Sequence, residues 1–260
     1  MTQLAVFHIP HSSTVIPEEI REDILLSEDE LQLEILKMTD WFTDELFDLS
    51  SARCISIRYP ISRLVLDPER FLDDDREEMS SIGMGVVYTR ASDGRPLRRK
   101  PSLEERARLV GKFYTPHHNR LTAAASSILK EAGQVLVVDC HSFPSLPLPY
   151  EKNQDTDRPD ICLGTDPFHT PLWLKHLALS LFSEKGFSVK LNYPFAGSLV
   201  PNEYYQKDAR VLSLMVEVRR DLYMCERSGT KNGGFEAVKE KLQGILLRLV
   251  AAVVLGCDEL

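Results

Sequence analysis

The stretch that most constrains this chain is Gln134-Val135-Leu136-Val137-Val138-Asp139-Cys140-His141-Ser142. Its four apolar residues, three of them valine, read as a strand buried on both faces. The run stops abruptly in residues that ligate metals, titrate or hydrogen-bond. Pro144, Pro147 and Pro149 then take the chain out of the sheet as loop. In open α/β sheets, ligands sit beyond the carboxyl ends of the strands. His141 therefore stands where a site is expected. The competing reading is a core histidine capped by Asp139, and this stretch alone balances the two.

The pattern recurs at the start of the chain. Residues 4–9 form a short apolar run, Pro10 ends it, and His11-Ser12-Ser13 follow in a loop. Two strand ends thus deliver two imidazoles that can converge. His8 lies inside its strand and is expected to face packing or solvent. A third buried strand spans 211–219 and carries Glu217, a carboxylate that must be paired, ligated or raised in pKa in such a setting. Further strands are expected at 52–59, 161–165 and 189–192. Helices are expected at 170–185, at 235–255 and from the capping box Ser102/Glu105 to about Ala132, with Gly133 as the stop. Pro116 should kink or break that last helix, and His117 and His118 follow it, facing different sides. A capping box at Ser27/Glu30 leads into residues 31–38, and Trp41 and Phe42 head an amphipathic segment through Leu49 that Asp40 could cap. Strands alternate with helices throughout. The expectation is an α/β protein: one domain over 1–260, with a mixed, largely parallel central sheet flanked by helices.

Bulk properties exclude several classes. A formal net charge of -8 disfavours nucleic acid as partner, although a small anion needs only a local arginine cluster. The five cysteines at 54, 140, 162, 225 and 257 lack a CxxC pair, which fits a reducing compartment such as the cytoplasm. No signal peptide is visible. The longest apolar run, 245–256, is interrupted by Arg248 and reads as a terminal helix on the core rather than a membrane span. The acidic run 73–78 reads as a solvated loop without EF-hand spacing. No glycine-rich phosphate loop or GxSxG elbow is present. Cys140 and His141 alternate across a strand, so they form no dyad.

A catalytic zinc takes three protein ligands and leaves one position open. His11 and His141 supply two. Asp40, Asp44, Glu18 and Asp139 are the candidate carboxylates, with Asp139 better suited to orienting an imidazole from outside. A base must also direct the water and protonate a leaving amine, and Glu217 suits that role. The competing reading of Glu217 is an ion pair with Arg219 or Arg220.

Several motifs, in order, resemble the N-formylglutamate amidohydrolase family, zinc-dependent hydrolases with a zinc-carboxypeptidase-like fold. Pro10-His11-Ser12 is similar to its Pro-His-Ser/Ala, and Thr39-Asp40-Trp41 to its Thr-Asp-Trp. Ser62-Arg63, Asp67 and Arg70 follow its Ser-Arg-x-x-x-Asp-x-Asn-Arg. Asp139-Cys140-His141-Ser142 matches its Asp-x-His-Ser. Asn192, Phe195 and Gly197 are like its Asn-x-x-Phe-x-Gly-Gly, and Glu217 with Tyr223-Met224 is like the Glu near its Tyr-Met. The resemblance implies one zinc, or another divalent metal, held by His11, Asp40 and His141, with Glu217 as general base. It implies that Arg63, Arg70, Asn192 and Gly197 bind substrate, with Asp67 and Asp139 outside the ligand shell. His118 matches a family histidine that would polarise the carbonyl or relay a proton; as a helix-surface residue it would do neither. The implied substrate is a small N-acyl amino acid, N-formyl-L-glutamate giving formate and glutamate. A different N-acyl amino acid or peptide, or a non-catalytic metal-binding relative, is the alternative. Glu69 replaces the family's Asn before the second Arg, and Ser198 replaces the second Gly of the Phe-x-Gly-Gly loop. Glu69 would repel a substrate carboxylate unless it turns away or pairs.

Overall fold

A computed structural model describes residues 2–49 and 53–255. Ala52 of the expected second strand, Gly256 at the end of the apolar run and Cys257 lie outside the described residues. The chain forms a mixed, mostly parallel sheet flanked by helices. Among the described residues the main sheet has six strands: β1 (Ala5–Ile9), β2 (Cys54–Arg58), β3 (Val135–Phe143), β4 (Ile161–Gly164), β5 (Val189–Leu191) and β6 (Val211–Arg219), in the order β2-β1-β3-β6-β4-β5. β2, β1, β3 and β6 run parallel, whereas β4 is antiparallel to β6 and carries β5 parallel to itself. β1 and β3 are buried along their whole length, and β6 up to its last residue. That is why their sequences are apolar runs rather than alternations.

Each face of this sheet has its own cover. On one face Phe7, Leu136, Val138, Leu214 and Val216 pack with α3 (Thr43–Leu46), α6 (Leu172–Glu184) and α7 (Phe235–Leu255). On the other, Val6, Val135, Val137 and Val211 pack against Leu121, Ala125 and Ile128 of α5 (Thr115–Ala132). Side chains alternate between faces with period two. The α5 face therefore continues from Val6 to His8, from Val137 to Asp139 and His141, and from Val211 to Ser213, Met215 and Glu217. It turns from apolar to polar towards the carboxyl ends of the strands.

The helices follow the expected signals, with two differences. α4 (Leu103–Leu109), opened by the Ser102/Glu105 capping box, passes through a π turn at Val110–Tyr114 into α5. Pro116 thus sits in the first turn of α5, where its missing N–H costs little. The amphipathic segment expected to run from Trp41 through Leu49 is a single turn, α3, because Phe42 adopts a left-handed backbone (φ 63°) just before it. α1 (Glu18–Arg21) and α2 (Glu28–Met38), with the segment 59–98, form two satellite cores that wall the carboxyl end of the sheet.

β4 ends against the loop that carries Phe195 and Gly197. A Cβ on Gly164 would lie 2.1 Å from the Gly197 carbonyl oxygen and 2.4 Å from Met215 Cε. Gly164→Ala is therefore expected to displace this loop and to lower stability by roughly 1–3 kcal/mol, the usual cost of overpacking. A urea midpoint equal to that of the parent would show that the loop yields freely.

Candidate active site

Strand register assembles the centre. Pairing of β1 with β3 sets His8 beside Asp139, and pairing of β3 with β6 sets His141 beside Glu217. His11 follows the end of β1. Its backbone carbonyl accepts a hydrogen bond from Asp40 N at 2.9 Å, which ties the end of α2 to the end of β1. Asp40 does not cap α3 with its carboxylate; its backbone carbonyl accepts from the Thr43 hydroxyl at 2.8 Å. The carboxylate points instead into the centre.

There, Asp40 Oδ2 lies 3.1 Å from His141 Nδ1 and 3.6 Å from His11 Nδ1, and the two imidazole centroids are 5.1 Å apart. One ligand atom from each of the three residues falls within 4.8 Å of the others, and all three residues are buried. Tetrahedral zinc, with bonds of about 2.0–2.1 Å, sets its ligands roughly 3.4 Å apart, so this spacing suits a divalent metal. The outer nitrogens are engaged by other carboxylates. His11 Nε2 meets Asp67 Oδ1 at 2.9 Å, and His141 Nε2 meets Asp139 Oδ1 at 3.2 Å and Glu69 Oε1 at 3.1 Å. That arrangement leaves both Nδ1 atoms for the metal side. His11 Nδ1 is buried without a hydrogen-bond partner, as a ligand atom awaiting a cation would be.

The charges agree with this reading. Against burial, Glu69, Asp139 and Asp40 hold the His141 pKa well above its usual value. Against burial and the Arg63 charge, Asp67 and Asp40 raise that of His11. Against burial, the two nearby imidazoles and the Arg220 charge hold the Asp40 carboxyl far below the carboxylate range. The site favours positive charge at the two imidazoles, and a dication supplies it with no proton needed.

Glu217 faces a cavity of about 600 Å³ that also receives His11, Asp40, His141, Arg63 and Arg70. Its Oε2 is buried and has no partner. The ion pairs considered for it go elsewhere: Arg219 binds Asp160 and Asp221, while Arg220 binds Asp40 Oδ1 at 2.8 Å and Ser142 Oγ at 3.1 Å. Arg63 donates to Asp67 Oδ2 at 2.9 Å and to the Tyr88 hydroxyl at 3.2 Å. Arg70 Nε lies 3.5 Å from Asp67 Oδ2 without a hydrogen bond, and Nη1 lies 3.8 Å from Glu77. Glu69 pairs with His141, so its charge is turned onto an imidazole rather than left facing the cavity alone.

A second cavity, of about 380 Å³, lies beyond Glu69, Arg70 and Phe71, which border both. His118 and Gly197 line it. His118 stacks on Tyr114 at 4.0 Å and bonds the Pro68 carbonyl at 2.7 Å, apart from Glu217. Asn192 lines neither cavity. Its side chain makes a paired contact with Thr165, accepting from the backbone N and donating to Oγ1, each at 2.9 Å. Sequence reasoning missed Tyr88, whose hydroxyl donates to Asp67, and the Arg220–Asp40 pair. It also placed His8 in packing or solvent, whereas the residue is fully buried and bonds Asp139. The register of β1 on β3 decides that contact, and register leaves no mark in the sequence of one strand.

The fold and these residues define an α/β protein with a metal-binding-capable centre at the carboxyl ends of its parallel strands. The sequence profile described as N-formylglutamate amidohydrolase matches residues 4–224. The chain belongs to that family. An N-formylglutamate deformylase of Pseudomonas aeruginosa is 30% identical over 199 residues, which cover 73% of this chain and 72% of the relative. The crystal structure of an N-formylglutamate amidohydrolase from Ralstonia eutropha superposes with a TM-score of 0.88 at 25% identity, covering 98% of this chain and 96% of that one. A gene product of Agrobacterium tumefaciens shares the fold, with a TM-score of 0.64 at 19% identity over 98% of this chain and 92% of that one.

Burial, with Asp40 and Glu69 nearby, pushes the Glu217 carboxyl up to about 8, against the pull of His141 and Arg220. An unfolded glutamate ionises near 4.5. The contribution of this carboxyl to the stability of the metal-free protein is therefore fully present below that pH and is lost as pH rises through about 8. The raised imidazoles of His11 and His141 lose theirs in the same direction. Glu217→Gln is expected to shrink, not abolish, the fall in urea midpoint between pH 6 and pH 9 in chelator-treated protein. An unchanged fall would mean that native Glu217 is already ionised at pH 6.

Proposed function

We propose that this chain is a zinc-dependent amidohydrolase that cleaves the N-acyl amide of a small acidic amino acid, with N-formyl-L-glutamate as the preferred substrate. One observation carries the reading: a buried Glu217 carboxylate, its Oε2 without a partner, shares a cavity with the His11–Asp40–His141 group and with two arginines. A structural metal site has no use for such a base. His11, Asp40 and His141 would hold one zinc, which when bound would supply Lewis acidity at the acyl carbonyl and lower the pKa of water towards roughly 7. Glu217 takes the proton from the attacking water and delivers it to the leaving nitrogen as the C–N bond breaks. Arg63 and Arg70 keep guanidinium nitrogens for the substrate carboxylates, which they bind by charge-assisted hydrogen bonds. Asp67 and Asp139 hold the imidazoles in orientation. Gly197 and His118 line the neighbouring cavity, from which His118 would relay a proton. The products are formate and glutamate.

The whole of 1–260 acts as one domain on a small molecule in the cytoplasm, without nucleic acid or membrane. In support, the net charge is -8, and no helix among the described residues is long and apolar enough to cross a membrane. Glu69 beside Arg70 favours one variation of this reading: a different N-acyl amino acid or a peptide, since the pair carries an acid where a carboxylate clamp would be purely cationic.

Elemental analysis of protein purified without added metal is expected to find about one zinc per chain, lost in His141→Ala. Glu217→Gln should keep the zinc and lose kcat by roughly 10²–10⁴-fold, the range for general acid–base catalysis. Equal turnover by this variant would refute the mechanism. Formyl- and acetyl-glutamate, formyl-aspartate and a formyl-peptide, compared by kcat/KM, identify the substrate class; a peptide preferred over formyl-glutamate would select the variation.

A further inference from the structure

Beyond the metal centre, the sheet face under α5 holds two more imidazoles. His8 and His117 are both buried, at 0% and 2% exposure, where Val6, Val137 and Leu121 show the surroundings to be apolar. Imidazoles in such a place cost free energy unless they are hydrogen-bonded. Here they are, and in series. His117 Nε2 lies 2.9 Å from His8 Nε2, and His8 Nδ1 lies 2.9 Å from Asp139 Oδ1. Asp139 in turn reaches His141 Nε2, and its Oδ2 accepts from the Leu199 backbone N at 3.0 Å. The Tyr59 ring packs edge-on against His117 with centroids 4.9 Å apart and holds it in place.

Proton positions along this series follow from what each nitrogen meets. His117 Nδ1 is buried and has no partner. A proton there would be a buried donor without an acceptor, so the proton sits on Nε2 and is donated to His8 Nε2. His8 then carries its own proton on Nδ1 and donates it to Asp139. Asp139, charged and held by His8 and the Leu199 amide, faces the outer nitrogen of His141 at 3.2 Å, beside Glu69 Oε1, which accepts that nitrogen's proton at 3.1 Å. His141 therefore presents the lone pair of Nδ1 to Asp40 and the ligand set.

We infer that His8 and His117 are positioning residues of the metal centre. Through Asp139 they hold the His141 imidazole in the tautomer and orientation that bind metal. The inference rests on the zinc centre proposed above. Neither residue touches substrate, and neither serves as a ligand. Outer partners of this kind govern metal affinity because a ligand ring free to rotate or change tautomer loses part of its binding energy.

The test uses pairs of polar variants, so that folding is preserved. A glutamine amide nitrogen falls near the position of imidazole Nε2 and an asparagine amide nitrogen near Nδ1. His117→Gln keeps the donor to His8, and His117→Asn does not reach it. His8→Asn keeps the donor to Asp139, and His8→Gln loses it. Zinc dissociation constants come from competition with a chromophoric chelator, and the visible ligand-field bands of the cobalt(II) form report ligand geometry. His117→Asn and His8→Gln are expected to weaken zinc by about tenfold, the lower end of the range for outer partners, and to shift the cobalt bands. His117→Gln is expected to match the parent in both, and His8→Asn, which keeps the donor to Asp139 but not the acceptor for His117, is expected to lie between the parent and His8→Gln. Equal affinity across all four variants would overturn the inference. Equal weakening within each pair would also do so, because it marks a packing role. A second metal equivalent in the parent, lost in His8→Gln, would make His8 a ligand and overturn it as well. A parent that binds no zinc removes the metal centre itself, a failure distinct from parent-like affinity in every variant.

Discussion

The parallel pairing of β1, β3 and β6 is the constraint on which the rest depends. These strands are buried on both faces, and a one-residue slip would exchange every side chain between faces. With the observed register, His8 stands beside Asp139 and His141 beside Glu217, all on the α5 face. Glu217, His141 and Asp139 thus come from neighbouring strands. They sit on rigid backbone rather than on loops. His11 and Asp40 come from loops, but the bond from Asp40 N to the His11 carbonyl ties those loops together.

The second organising feature is charge placed where water is excluded. Asp40, Asp67, Asp139 and Glu69 face His11 and His141, while Arg63, Arg70 and Arg220 are shared among the same carboxylates. Buried ion pairs seldom repay their desolvation as stability. Their use here is geometric. Arg220 bonds the Lys37 carbonyl, Asp40 and Ser142, and so locks the end of α2 onto the end of β3. Glu217 is the exception, since no cation is assigned to it. Its raised pKa follows from burial beside the Asp40 and Glu69 carboxylates, which outweigh the pull of His141 and Arg220.

Glu69 shows how a departure from a family pattern is absorbed. In isolation an acid beside Arg70 threatens the substrate clamp. In the folded chain its carboxylate sits 3.1 Å from His141 Nε2 and 3.6 Å from His8 Nδ1, and it forms part of the partition between two cavities. Its charge is spent on imidazoles that already attract anions, and Arg70 keeps nitrogens facing the cavity.

Much of this was legible in the sequence. Buried strands announce themselves as apolar runs, and the element bounds at 211–219 and 235–255 coincide with those observed. Chemistry-bearing residues at the ends of such runs, His11, His141 and Glu217, could be picked out because an apolar strand rarely ends in them without a use. Asp40 needed the family motif, since Thr-Asp before a helix has an ordinary reading as a cap. The tertiary structure alone decided which atoms meet. The partners of His8 and His117, the service of Arg220 to Asp40 instead of Glu217, the turn of Glu69 onto His141 and the Asn192–Thr165 pair all depend on strand register and on loop paths. Those are set by the packing of distant segments. A local pattern encodes how much a residue is buried and which face it takes, because neighbours three or four positions away determine that. It does not encode contacts across 109 or 131 positions of chain, as between His8 and its partners His117 and Asp139, because their geometry exists only once the whole sheet has closed.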